Sequence, residues 1–192
     1  MEERIIDFYR RCLYGTNYNN KDKTNIDMIA KCCFTNAWKD MARTYPVKNK
    51  AERETLKSQM LKDLTAQVYN KKYNPREIIN NYTNAQNLTL GQSQKVVNMF
   101  FKYLYTFSDL EFVKPEYFFV CDCPIDSIIL NKIKKYQTEY KDIIILKDKV
   151  KYEDKIYVWS KIDNINCYLQ LQELIGKLSR TSKLDFDFDE WI

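Results

Sequence analysis

Apolar positions recur at steps of three and four along most of this chain, the period of an α-helix with one buried face. Ile5, Ile6, Phe8, Tyr9, Cys12 and Leu13 form a short stripe over residues 3–13 that ends near Gly15, and a polar loop follows to Thr24. The stripe resumes from Asn25 through Ile26, Ile29, Ala30, Cys33, Ala37 and Met41, with a break predicted near Tyr45-Pro46 because proline cannot continue a helix interior. Residues 50–69 set Leu56, Met60, Leu64 and Val68 four apart, with Lys and Glu on the solvated face. Asn74-Pro75 starts a short helix over 76–82, since Asn caps and Pro fits the first turn. A polar connector over 84–90 leads to the strongest helix, about 93–107, where Val96, Val97, Phe100, Phe101, Leu104 and Phe107 spread over a wide apolar face.

Beyond that helix the period weakens. Residues 108–123 read as irregular, with Tyr117, Phe118, Phe119 and Val120 as a short extended piece. Asp126 opens a helix through Ile128, Ile129 and Ile133. The apolar runs 143–146 and 156–159 fit a small β-hairpin or loops equally well. Asp163 or Asn164 caps a last long helix through Tyr168, Leu171, Leu174, Ile175 and Leu178, and the tail from Asp185 to Ile192 alternates acidic and aromatic residues.

Composition supports the helical reading. Gly (3) and Pro (4) are scarce in 192 residues; average usage would give roughly 23 of the two together. Few tight turns argue against a sandwich or barrel and against a Gly-rich phosphate cradle. The expected fold class is all-α. The 31 basic and 26 acidic side chains leave a formal charge of +5, permissive of a nucleic-acid partner without requiring one. The tail's acids would be repelled by DNA, which keeps them off any binding surface. No run of about 20 apolar residues is present to span a membrane.

Histidine is absent. That excludes Ser-His-Asp and Cys-His nucleophile pairs, His-ligated metals and His-dependent ribonucleases. The six cysteines contain no C-x-x-C, and Cys32-Cys33 and Cys121-Asp122-Cys123 are too close-set for ordinary zinc pairs. The expectation is a cytoplasmic protein with buried free thiols, without a metal or small-molecule cofactor.

Two segments carry the candidate chemistry. In Leu90-Gly91-Gln92-Ser93-Gln94-Lys95-Val96-Val97-Asn98 a Gly and a polar turn lead to a Lys in the first turn of a buried helix. In Cys123-Pro124-Ile125-Asp126 an Asp follows a Pro-fixed turn at a helix N-cap. A Lys at a helix start meets the positive end of the backbone dipole and partial burial, both favouring the neutral, nucleophilic amine. A capping carboxylate is kept charged by backbone N–H groups and can stabilise a developing positive charge. Such a pair suits N-glycosidic cleavage, in which an oxocarbenium-like sugar meets an attacking amine or water.

The two segments resemble the helix-hairpin-helix superfamily of DNA glycosylases. There, a glycine hairpin leads into a helix beginning Lys-Val-Ala-Asp or similar, and a Val-Pro-Val-Asp-type segment follows. Gln94-Lys95-Val96-Val97-Asn98 is similar to the first element and Cys123-Pro124-Ile125-Asp126 to the second. The resemblance covers roughly residues 88–133, with one hairpin glycine, Gly91, where the family has two, and without the Cys-ligated iron–sulfur cluster of some branches. It implies two helical lobes flanking a cleft within one unit of residues 1–192: about 25–110 carrying Lys95, and about 1–24 with 111–192 carrying Asp126. It also implies double-stranded DNA as substrate, with a damaged or modified base flipped out, in repair or in anti-phage defence.

Under that reading Asp126 and Lys95 are the catalytic candidates, and Gly91, Gln92, Gln94, Asn98 and Lys161 the DNA-binding ones. Five of these also have a plain alternative, as does Trp159. Asp126 caps a helix, Lys95 is a solvated Lys, Gln92 and Gln94 are turn residues, Asn98 is a satisfied core amide, and Trp159 is a packing anchor. The rival from another class is a non-catalytic nucleic-acid-binding or defence adaptor protein.

Overall fold

The computed structural model describes residues 25–44, 50–83, 88–136, 159–179 and 182–188. The expected helices over 3–13 and the two runs proposed as hairpin or loops, Trp159 apart, lie outside them. The described chain is mostly helical: α1 (Ile26–Thr44), α2 (Lys50–Tyr69), α3 (Pro75–Tyr82), α4 (Leu90–Tyr105), α5 (Ser127–Tyr136), α6 (Ile165–Leu178) and α7 (Lys183–Phe188), with 3-10 helices at Pro115–Val120 and Trp159–Lys161. An isolated bridge between Thr83 and Leu88 is the only β-type pairing among the described residues.

The organising element is α4. Fourteen of its sixteen residues are buried, so it is a central helix with no solvated face. Helix α1 packs along it, α2 packs against α1 and α3, and α3 lies against α4 as well. The apolar stripes read from the sequence are the ones buried: Ile29, Ala30, Cys33, Ala37 and Met41 of α1, and Leu56, Met60, Leu64 and Val68 of α2. Together with Phe100, Phe101, Leu104, Tyr168 and Phe188 they belong to one continuous core.

Local signals fix the helix ends. Asn74 accepts from Glu77 N ahead of Pro75. Asn164, not Asp163, caps α6, accepting from the N–H groups of Asn166 and Cys167. Thr89 caps α4 in a reciprocal box with Gln92.

Three expectations change. Helix α4 begins at Leu90 rather than near Ser93, because the Thr89–Gln92 box was a stronger start signal than the first apolar pair. Gly91 is therefore helical, and the connector ends before it. Residues 117–120 are part of the 3-10 helix Pro115–Val120, nucleated by Pro115 at its start, instead of an extended piece. The acidic–aromatic tail is helical over α7, with Leu184, Phe186, Asp187 and Phe188 all buried.

No helix among the described residues is long and apolar enough to cross a membrane.

Candidate active site

The N-terminal end of α4 is pressed onto the backbone of the 3-10 helix Trp159–Lys161. Gly91 N donates to Ile162 O (2.9 Å) and Thr89 Oγ1 to Ser160 O (2.8 Å). A Cβ on Gly91 would lie 2.2 Å from Trp159 O and 2.8 Å from Ser160 Cα. Glycine is required here by backbone approach, and a hairpin turn plays no part. Trp159, buried at this contact, serves as a packing anchor.

From that anchored end, Gln94, Lys95, Asn98 and Lys102 succeed one another on one side of α4, since residues three and four apart share a helix face. Gln94, Lys95 and Asn98 meet residues 121–126, which run between the 3-10 helix and α5 without secondary structure. Pro124 disfavours helix at Cys123 and supplies no N–H of its own.

Lys95 and Asp126, 31 positions apart, are in contact: Lys95 Nζ lies 2.9 Å from Asp126 Oδ2. The other carboxylate oxygen, Oδ1, accepts from Ile128 N and Ile129 N, both at 2.9 Å, capping α5. One oxygen holds a helix start and the other faces a cation. The side chains are 8% and 19% exposed, so the pair is mostly buried, with the aspartate the more exposed partner. Burial pushes the Asp126 carboxyl up, but the Lys95 charge and the two backbone N–H groups outweigh it and hold it below its ordinary value of 3.8. Because α4 starts earlier than expected, Lys95 sits in its second turn, where the dipole argument for a neutral amine loses force.

The remaining candidates occupy different surroundings. Gln92 completes the capping box, its Oε1 accepting from Thr89 N (2.9 Å). Gln94, fully buried, donates to Ile125 O (2.7 Å) and accepts from Ile125 N (3.0 Å). Asn98 Nδ2 donates to Gln94 Oε1, Cys123 O and Tyr168 OH. These amides are engaged inside the protein. Lys161 closes the 3-10 helix against Gly91, and its side chain lies outside the described residues.

Several buried polar residues around these segments were missed. Asp122, fully buried, receives Arg76 through two bonds (2.8 and 3.0 Å), Lys183 at 2.6 Å and Tyr168 OH at 2.9 Å. Burial pushes its carboxyl up, yet Arg76 and Lys183 bring it below the usual carboxylate range. Gln172 binds Cys123 N and O (3.0 and 2.7 Å). Lys102 meets Asp187 at 2.6 Å. A signal existed for Asp122 and Lys102: a polar side chain interrupting an apolar run, as Asp122 does between two cysteines and Lys102 after Phe100-Phe101, must find a partner when buried.

Burial raises the thiols of Cys33, Cys121 and Cys123 well above their ordinary value, which keeps them protonated and poor nucleophiles. Among the described residues no group of three or more Cys, Asp and Glu side chains is arranged to hold a metal ion. A surface cavity of about 480 Å³ opens between α1 and α2, lined by Asp27, Lys31, Leu61, Lys62 and Tyr69 among others; neither Lys95 nor Asp126 reaches it.

No family model, curated protein or solved structure matches this chain.

Proposed function

We propose that this protein is a DNA glycosylase that cleaves the N-glycosidic bond of a flipped-out modified or damaged base, in cytoplasmic repair or anti-phage defence. The observation that carries the reading is the Lys95–Asp126 contact: an amine and a charged, capping carboxylate, 2.9 Å apart, the carboxylate side chain 19% exposed. In this reading the lobe of about residues 25–110 contributes Lys95, the rest of the chain contributes Asp126, and the nucleotide enters where they meet.

As the N-glycosidic bond breaks, its electron pair leaves with the base and positive charge develops on the sugar. The Asp126 carboxylate stabilises that charge. The Lys95 ammonium gives its proton to the departing base, and the anomeric carbon is then attacked in one of two ways. Either the freed Lys95 amine closes on it and a Schiff base with the ring-opened sugar follows, or a water does so and passes its proton to Asp126.

The test is incubation with normal DNA and with several hypermodified phage DNAs, followed by an assay for abasic sites. Base release is expected from at least one of them. With borohydride present, a covalent adduct that disappears in Lys95→Ala identifies amine attack, and base release without an adduct identifies water. Excision unchanged in Asp126→Asn, or DNA binding with no base released from any of these DNAs, overturns the assignment.

A further inference from the structure

Residues 121–126 pose a backbone problem that an all-helical protein cannot solve with a neighbouring strand. The segment is buried from Cys121 to Ile125, so its N–H and C=O groups need partners. Two glutamine side chains supply those of Cys123 and Ile125. Gln172 of α6 pairs with both backbone groups of Cys123, and Gln94 of α4 with both of Ile125. Each amide reproduces one rung of a β-ladder, on either side of Pro124. The orientation of Gln94 is fixed, because its oxygen also accepts from Asn98 Nδ2 (3.2 Å) while its nitrogen faces a carbonyl.

The two rungs differ in where they lead. Gln172 hangs from α6. Gln94 is the residue next to Lys95, and Ile125 is the residue next to Asp126. The Gln94–Ile125 rung therefore bridges the two helix starts one residue away from the Lys95–Asp126 contact. We propose, resting on the glycosylase reading, that Gln94 is a positioning residue: its double bond to the Ile125 backbone sets the approach of Lys95 to Asp126, whereas Gln172 only secures the segment.

Displacing reacting groups by about 1 Å can cost about a hundredfold in rate. Gln94→Met keeps the volume of the side chain and removes both bonds. It is expected to lower kcat at least about tenfold with KM within about twofold, and to move the Asp126 carboxyl titration, read by carbon-13 NMR on the full chain, upward toward its ordinary value. Gln172→Met loses the same number of backbone bonds, so both variants should melt about 5 °C lower. In Gln172→Met, however, kcat stays within about threefold and the Asp126 titration is unmoved. Gln94→Glu keeps the acceptor for Ile125 N and loses the donor to Ile125 O. It gives an intermediate kcat and carries the test if the methionine variant does not fold.

Equal effects of the Gln94 and Gln172 variants on the Asp126 titration, or no effect of either, overturn the positioning role even if base release is found. If no DNA yields a free base the catalytic reading fails, and the NMR titration alone still decides whether Gln94 sets the geometry of the pair.

Discussion

The two ends of α4 each present a lysine to an aspartate, and the environments of the pairs differ sharply. Lys95 and Lys102 are seven residues apart, two turns or about 10 Å along the same helix. Lys95 meets an aspartate that caps α5 and is 19% exposed; Lys102 meets Asp187 of α7 with the two side chains 1% and 5% exposed. The same pair of residue types on one helix thus makes a sealed bolt at one end and a half-open pair at the other. A lysine–aspartate contact is by itself no mark of chemistry. The two pairs differ in burial and in their further anchors: Asp126 is partly exposed and also caps α5, whereas Lys102 and Asp187 are closed off from water.

The widest separation is expected in activity. Asp126→Asn should cut base release about a hundredfold or more on a responsive substrate, while Asp187→Asn, assayed where it is folded, should retain it. An equal loss in both would erase the functional contrast.

Stability should run the other way. Removing one partner of a sealed pair leaves the buried Lys102 charge less well compensated, so Asp187→Asn should cost about 3 kcal/mol in urea unfolding, and Lys102→Met combined with Asp187→Leu should recover most of it. Asp126→Asn should cost about 1 kcal/mol, since an asparagine still caps α5 and the pair is partly screened by water.

A smaller effect, on the open end alone, follows from Gly91. The 2.2 Å approach to Trp159 O is backbone against backbone, so Gly91→Ala should destabilise by about 1–3 kcal/mol. It should also lower base release while the Lys102–Asp187 end stays intact, which the protection of α4 amides in hydrogen exchange reads turn by turn.

The smallest effect is in the pH dependence. Asp126 and Asp122 are both held below the ordinary 3.8, so the stability they contribute is present above that pH and is lost as pH falls through their lowered folded values. Urea unfolding followed from pH 6 downward should lose stability below about pH 4, with a shallower loss in Asp126→Asn. An unchanged slope would mean that the open pair contributes nothing through its charge.

Much of the fold was legible because it rests on local rules. The four-residue spacing of Leu56, Met60, Leu64 and Val68, the Asn74-Pro75 start and the capping carboxylate of Asp126 each follow from neighbours in sequence. The start of α4 was misplaced because the first apolar residues, Val96 and Val97, outweighed the Thr89–Gln92 box in the pattern. The 3-10 helix at Pro115–Val120 was misread because four consecutive apolar residues have no period to separate helix from strand.

At the site, the chemistry of Lys95 and Asp126 was readable and the supporting shell was not. Gln172, Tyr168, Arg76, Lys183 and Asp187 come from α3, α6 and α7, and their partners are set by how those helices pack. Nothing within a few residues of Gln172 says that it will meet Cys123.

The amino-acid order by itself determined the helical character, the faces that turn inward and the acid that caps α5, because periodicity and capping act over three or four residues. Only the tertiary structure decided that this acid and Lys95 touch, that the neighbouring lysine is sealed, and that two glutamines replace a missing strand. Burial and partner choice depend on which distant surfaces exclude water together, and no local pattern encodes that.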